Sequence, residues 1–451
     1  MPSANAPMTS TEQQNAQRTF LHKTAVLYQN EADVWNMAKD WTDTPINSIG
    51  VKVPLELSPN PSLKIANLDG GTVGAPGARD LDNMVINYGT LMCASGVTYE
   101  ALLNNNKETA EDQEMRRMES DVKQAVKFLN DFVSRGNGTH ALADASAGYL
   151  GTDATTKRTF VANGSTDSIG PSQTVKGGWY EIYDATGVTK RSAAASPTDA
   201  IFRVESKTAA NIVLASGSTL PTDYITGDIL VPELGVTNAA TGAIVGFPHI
   251  FDNAGTYFGK SRSAIPELQA FENALGGSLT ASELMETYMG IKQRGGYGFG
   301  SAVELIDMLW LMVNITQEQN YYNLSLASGA VVGGIKTFQH NKDGAPNYDI
   351  GYADMNFTWF RAPLKVCNST RGDEIYFANP KHLKKAVLKN FGEVGHGFNE
   401  QLLVNTTGIP ILTKANYRDF VGQFFSPTPH RLGKISGITI TGLQTQKVAM
   451  V

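Results

Sequence analysis

The chain has 451 residues, 41% of them hydrophobic and 18% charged, with 44 glycines and a formal net charge of −6. That length leaves room for two or three domains with sizeable cores, and the acidity excludes a nucleic-acid binder held by a broad basic surface. A charged content below the rough quarter usual in soluble domains leaves small uncharged polar groups on the surface. Burying those costs less than burying Lys or Glu, which suits extensive protein contact.

Residues 1–18 are rich in Pro, Ser, Asn, Thr and Gln and read as disordered. Val34, Trp35 and Met37 then form a short helical patch before Asp43-Thr44-Pro45, which predicts an arm that orders against something else. Apolar and polar residues alternate over 51–59 and again around Met84–Tyr88, predicting two strands that bracket the Gly/Pro-rich stretch Leu68–Arg79. A pair of strands alone is marginal, so this arm is expected to need a neighbouring subunit. The glycine-rich stretch ends Gly77-Ala78-Arg79-Asp80 and lacks the Gly-Lys-Ser/Thr that a phosphate loop requires.

The clearest predicted helix covers 111–135, where Met115, Met118, Val122, Ala125, Val126, Leu129 and Val133 recur at steps of three and four. Thr109 with Asp112 is a candidate N-cap pair, and Gly136 is the expected stop. One narrow stripe means one packed face and a wet remainder, with a coiled-coil strand as the alternative. Asp112 with Arg116, Glu119 with Lys123, and Asp131 with Arg135 are its i,i+4 pairs.

Over 155–245 short strand patterns at 176–183, 200–205, 211–214 and 227–231 alternate with turn residues, predicting a small antiparallel barrel or sandwich that folds by itself. Thr280 with Glu283 makes a capping box ahead of Leu284, Tyr288 and Ile291, with Gly295-Gly296 as the stop. Ser301 is expected to open a buried helix through Leu305, Leu309, Met312 and Val313. Asp373–Ala378 reads as extended and leads into an Asn379-Pro380 helix start. The helix expected over 380–390 has Leu383 and Val387 inside and Lys381, Lys384, Lys385 and Lys389 outside, either solvated or facing an acidic partner, DNA or another subunit. Residues 431–443 close the chain as a strand pattern.

Chemistry is hard to find. The 7 histidines fall singly, so no metal-ligand spacing appears. Gly295–Gly300 follows a helix where a dinucleotide fingerprint follows a strand. Cys93 and Cys367 form no Cys-x-x-Cys pattern and read as two buried thiols. Asn-x-Ser/Thr triplets at Asn137, Asn163, Asn314, Asn323, Asn356, Asn368 and Asn405 lack a preceding secretion signal. The most apolar window, 305–315, carries Asp307 and falls short of the roughly 18–20 residues of a membrane span, so no membrane association is expected. No catalytic, cofactor-binding or metal-binding residue is assigned, no cofactor is expected, and assembly is favoured over catalysis.

Taken in order, several stretches resemble one family: the Gly/Pro arm leading to Gly96-Val97-Thr98-Tyr99-Glu100, the helix 111–135, Phe251–Ser263, Phe357–Leu364 before Glu374, and Gly437–Leu443. Over roughly residues 45–445 the chain is similar to the major capsid proteins of tailed double-stranded DNA bacteriophages, with the Hong Kong 97-like fold. The resemblance implies an α+β chain divided as follows: an N-terminal arm 1–47, an extended β-loop 48–100 and a peripheral domain 101–154 with a long spine helix. An inserted small β-barrel-like domain 155–245 follows, then a return to the peripheral domain at 246–295, an axial domain 296–425 and a C-terminal peripheral strand 426–451. It further implies self-assembly as hexamers and pentamers into an icosahedral shell around packaged DNA, located in the virion and assembled in the bacterial host cytoplasm. A portal protein and a decoration protein are implied partners. The stretch before residue 48 is too short for a fused scaffold, which implies a separate scaffolding protein. Some members cross-link Lys to Asn; Lys52 and Lys64 lie in or near the loop, with no partner evident. The rival expectations are a tail tube or decoration protein, and an enzyme with a dispersed site.

Overall fold

The computed structural model describes residues 33–42, 50–58, 80–98, 122–136, 143–144, 159–161, 174, 176–191, 201–207, 211–214, 225–232, 243–294, 310–313, 317, 320, 358–359, 362–367, 369–389, 401–404 and 410–439. The Gly/Pro-rich stretch, Lys64 and the first half of the expected helix 111–135 lie outside them.

The described chain begins with helix α1 (Asp33–Met37) and β1 (Lys39–Asp40), followed by β2 (Gly50–Ser58), β3 (Asp80–Asn87) and β4 (Gly89–Thr98). Helix α2, described over 122–135, precedes β5 (Ala143–Asp144), β6 (Thr159–Val161), β7 (Trp179–Tyr183), β8 (Ile201–Lys207), β9 (Asn211–Leu214) and β10 (Ile229–Pro232). Then come α3 (Phe247–Ile250), β11 (Thr256–Tyr257), β12 (Lys260–Ser261), β13 (Phe271–Gly277) and α4 (Ala281–Gln293). Strands β14 (Trp310–Val313), β15 (Thr358–Trp359), β16 (Ala362–Val366), β17 (Ile375–Ala378), β18 (Lys384–Lys389), β19 (Gln401–Val404), β20 (Pro410–Phe425) and β21 (Gly433–Ile438) complete the described chain. The mixture is α+β.

Strand β20 organises the first sheet. One edge pairs with β4 from Thr413↔Thr98 to Gly422↔Gly89, and the other pairs with β19 and then β18. Strand β1 adds in parallel to β18. The arm around α1 is therefore docked on its own chain: Trp35 meets the Phe420 ring edge-on at 5.3 Å, and Trp41 meets Phe425 at 5.4 Å. The amide N–H groups of Val34 and Trp35 both donate to Asn130 Oδ1 on α2, at 3.0 and 3.3 Å.

One expected helix is a strand over 384–389, and the described end of another, Trp310–Val313, is a strand as well, its first part lying outside the described residues. Asn379-Pro380 does begin a turn, since Asn379 Oδ1 accepts the Lys381 N–H at 3.0 Å and its carbonyl accepts the His382 N–H at 2.9 Å. The turn is not propagated, because the 384–389 backbone is taken by ladders to β20 and β1. Tertiary pairing overrides a modest helical preference here. Likewise Trp310–Val313 lies between β16 and β17; a short unbroken apolar run reads equally as buried helix or buried strand.

The second large sheet has the order β13-β21-β17-β14-β16-β15. It takes strands from stretches assigned above to the peripheral domain, the axial domain and the C-terminal strand. Helix α4 covers it as expected: Thr280 Oγ1 accepts the Glu283 N–H, and Leu284, Tyr288 and Ile291 are buried. The packing is close, with the Ile291 side chain against Gly433, where an added Cβ would stand 2.6 Å from Ile291 Cδ1. No helix among the described residues is long and apolar enough to cross a membrane.

Strands β5–β10 form a six-stranded antiparallel sheet of order β5-β10-β7-β8-β9-β6. Two features bear on the expectation of a small antiparallel barrel or sandwich over 155–245 that folds by itself. Among the described residues the sheet is open, with β5 and β6 at its ends, and β5 precedes the expected boundary. Its core also includes Phe132 of α2, packed with Phe160, Tyr180, Ile182, Phe202 and Leu230, while Phe128 leans on the same cluster.

Helix α2 also departs from the single-stripe picture. Val122, Ala125 and Val126 pack on the main core as expected, but Leu129 through Gly136 are buried on every side. Asp131 is accordingly held by Lys127 Nζ at 2.9 Å and by the Ser369 hydroxyl at 2.8 Å. An added carboxylate at Val126 would find no such partners and faces the desolvation cost of an unpaired charge.

Segment 243–246 is clamped between α2 and β20. Gln423 Oε1 accepts the Val245 N–H at 2.8 Å and the Phe424 N–H at 3.1 Å, while Nε2 donates to the Asn87 and Ala243 carbonyls at 2.9 and 2.8 Å. On the opposite side, a Cβ on Gly246 would lie 2.5–2.7 Å from the carbonyl oxygens of Phe132, Val133 and Gly136.

Two outcomes follow. Gln423→Leu leaves two buried backbone N–H groups and two carbonyls without partners, each costing roughly 1–3 kcal/mol, so the chain should lose about 3 kcal/mol or more in urea titrations; an unchanged midpoint would remove Gln423 from this role. A fragment 155–245, lacking β5 and the Phe132 ring, should show no cooperative unfolding, whereas 122–246 should.

Candidate assembly surface

The antiparallel pair β2 and β3 runs in register from Gly50↔Asn87 to Glu56↔Leu81. Period-two alternation separates its faces. Val51, Val53, Met84 and Ile86 point into the main core, so this part of the arm is anchored on its own chain. The opposite face carries Lys52, Pro54 and Glu56 on β2, with Asn83 and Val85 on β3. Leu81 is 67% exposed, Val85 38% and, on the adjoining β4, Met92 70%. Burying side chains of this size gives roughly 1.5–3 kcal/mol each, and here that stabilisation is unused.

The outer end of the pair is held from below. Lys260 Nζ on β12 lies 2.5 Å from Asp82 Oδ2. Asp82 Oδ1 also accepts the Asn83 N–H, and these contacts, Lys260 first, hold the carboxyl below its ordinary range. Strand β12 is fixed in turn by Arg262, a fully buried side chain that makes no ion pair among the described residues. Its guanidinium donates to the carbonyls of Asp252 and Leu268, each at 2.6 Å, and of His249, and lies 4.7 Å from the centre of the Tyr257 ring. Tyr257 closes the knot, accepting the Ser426 N–H at 2.8 Å and facing the Ser426 carbonyl at 3.0 Å. The stretch 251–263, singled out in the sequence, is thus a buttress joining the arm to the end of β20. Burial, with the Arg262 charge adding to it, pushes the neighbouring His249 down to about 4.

A second cluster gathers cations. His382 Nδ1 lies 2.9 Å from the Thr428 hydroxyl, and His430 Nδ1 faces the Glu267 carbonyl at 2.9 Å. Burial pushes His382 down to about 4, helped by Arg431, His430, Lys381 and Lys384. Lysines of the expected cationic helix separate here: Lys385 pairs with Asp40 at 3.8 Å and stands over the Trp35 ring, and Lys389 pairs with Asp419.

Among the described residues no group of His, Cys, Asp and Glu converges as a metal site. Cys367 is buried, and Cys93 lies on β4 opposite Arg418. Lys52 lies on the outer face of β2, opposite Val85. The roles of Leu81, Met92, Lys260 and Arg262 had no local signal in the sequence, because exposure and tertiary anchoring arise only once distant segments meet.

No family model matches the chain. No curated protein matches it either. Solved structures that resemble it are phage capsids, among others. The cyanophage A-1(L) capsid asymmetric unit is 11% identical with a TM-score of 0.48, over 94% of this chain and 99% of that one. A Gordonia phage Cozz structure is 10% identical with a TM-score of 0.41, over 97% of each chain. The holo-SrpI encapsulin complex from Synechococcus elongatus is 8% identical with a TM-score of 0.42, over 95% of this chain and 96% of that one. With scores this low, what the chain does must be read from its own residues.

The histidines set an acid limit. His382 has its folded value depressed to about 4 from 6.5, so between those values the unfolded chain binds more protons and stability falls as pH falls. His382→Gln should remove a slope of about 1.4 kcal/mol per pH unit in that window. Urea midpoints at several pH values check this; parallel curves for both proteins would refute it.

Proposed function

We propose that the chain is a capsid subunit of a tailed double-stranded DNA phage, assembling through hexamers and pentamers into an icosahedral shell. The observation that carries this reading is the β2–β3 pair. Its inner face is locked into the subunit core, while Leu81, Val85 and Met92 remain outward on a buttressed, rigid support. Apolar side chains already held outward on a folded pair of strands lose little conformational freedom on docking, which favours association. The low charge content acts in the same direction across the whole surface.

On this reading the arm lies on an adjacent subunit, α2 is the spine of a peripheral domain, and the β5–β10 sheet is an insertion carried on it. The peripheral and axial assignments, the separate scaffolding, portal and decoration partners, the enclosed DNA, and the location in the virion after assembly in the host cytoplasm belong to the same proposal. The chain's role is structural, without catalysis.

Electron microscopy of the purified full-length chain tests it. Closed shells are expected; open tubes would point to a tail protein, and persistent monomers would count against a shell. The double variant Leu81→Asp with Val85→Asp should keep its circular dichroism spectrum and urea midpoint but form no shells. Normal shells from that variant would remove the outer face from assembly.

A further inference from the structure

We propose that Lys39, Lys384 and Arg431, grouped around His382, form a site for the phosphates of a nucleic-acid backbone. The proposal deepens the shell reading by locating where enclosed nucleic acid would be touched. Lys39 and Lys384 face each other across the parallel β1–β18 ladder, a spacing of about 4.8 Å between strands. Thr428 bonds to His382 and accepts the Arg431 N–H through its carbonyl at 3.2 Å, which brings the Pro429–Arg431 turn against the 379–383 turn. His430 and Lys381 stand in the same field around His382.

These cations differ from their neighbours in lacking acids. Lys385 has Asp40, Lys389 has Asp419, and Lys434 has Glu272 at 3.1 Å. Lys39, Lys384 and Arg431 have no ion pair among the described residues, and Arg431 Nε is buried without a hydrogen-bond partner. Among the described residues the acids nearby are Asp40, held toward Lys385, and Glu267, whose backbone carbonyl faces His430. Clustering positive charge without counter-charge is unfavourable for the isolated subunit, and a bound anion would relieve it. The three side chains come from three segments, which suits a ligand that carries several charges along its chain. A phosphodiester backbone has that form, and a guanidinium is shaped to grip its oxygens. With only three cations the contact is weak and independent of base sequence, consistent with a chain of net charge −6.

The test is binding of a short fluorescent DNA duplex to the full-length chain across a salt series, with inorganic phosphate and polyglutamate as competitors. Three phosphate contacts give a log–log salt slope of about −2.7, and neutralising one gives about −1.8. Lys384→Gln and Lys39→Gln should each produce that change with the urea midpoint unaltered; Arg431→Gln serves as a third variant where folding permits. Competition by DNA well beyond inorganic phosphate supports a backbone site. Unchanged slopes in both lysine variants would overturn it, as would competition by phosphate alone at the potency of DNA. Polyglutamate competing as well as DNA would assign the site to an acidic protein instead. Shells that form normally without this binding would sink only the site, whereas the expected slopes in a chain that forms no shells would sink only the capsid reading.

Discussion

Everything else in the fold depends on one buried amide. Gln423 uses both lone pairs and both N–H bonds of its side chain, and its four partners belong to β20, the end of β3 and the segment entering α3. A fully satisfied polar group in a dry interior is directional where apolar contact is not, so it sets one relative placement of these segments. The close approach of Gly246 to the last carbonyls of α2 fixes the same segment from the other side. The hairpin that carries the outward apolar patch is therefore referenced, through Asn87, to the same point as the long helix and the long strand.

Charge is buried in this protein under two different settlements. Arg262 has no ion pair among the described residues; three backbone carbonyls accept from its two terminal nitrogens and an aromatic face lies against the guanidinium, while Nε has no hydrogen-bond partner. Lys434 instead lies between Glu272 at 3.1 Å and Glu374 at 3.9 Å, linking β21 to β13 and β17. Beside it Asp373 is pushed up to about 6 by burial and by the Glu374 charge. The first arrangement makes a rigid corner with little pH response near neutrality. The second places titratable groups inside a sheet, where proton uptake and strand packing are coupled.

Local signals were legible where the chain makes its own local structure. The Thr280–Glu283 box, the α1 patch, the Ile375–Ala378 strand and the alternation over β2 and β3 all describe contacts within a few residues, and all appear in the fold. The failures lie where partners come from far away. Lys384–Lys389 is a strand because β20 and β1 claim its backbone. Leu129–Gly136 is buried on all sides because the β5–β10 sheet covers one flank of α2 and the main core another. The candidate assembly face was half visible: alternation predicted two faces, but only the fold shows which one the subunit keeps and which it leaves outward.

The Gly246 N–H donates to the Gly136 carbonyl at 3.0 Å. The chain therefore departs from the end of α2 and returns to the same point more than a hundred residues later, so that exit and re-entry share one doorway. A segment attached at one place can change length or content without moving the frame, provided that whatever replaces it still offers an apolar cover for Phe128 and Phe132. The doorway makes that excursion the natural position at which to graft a foreign domain, and it separates what the frame carries from how the frame is built.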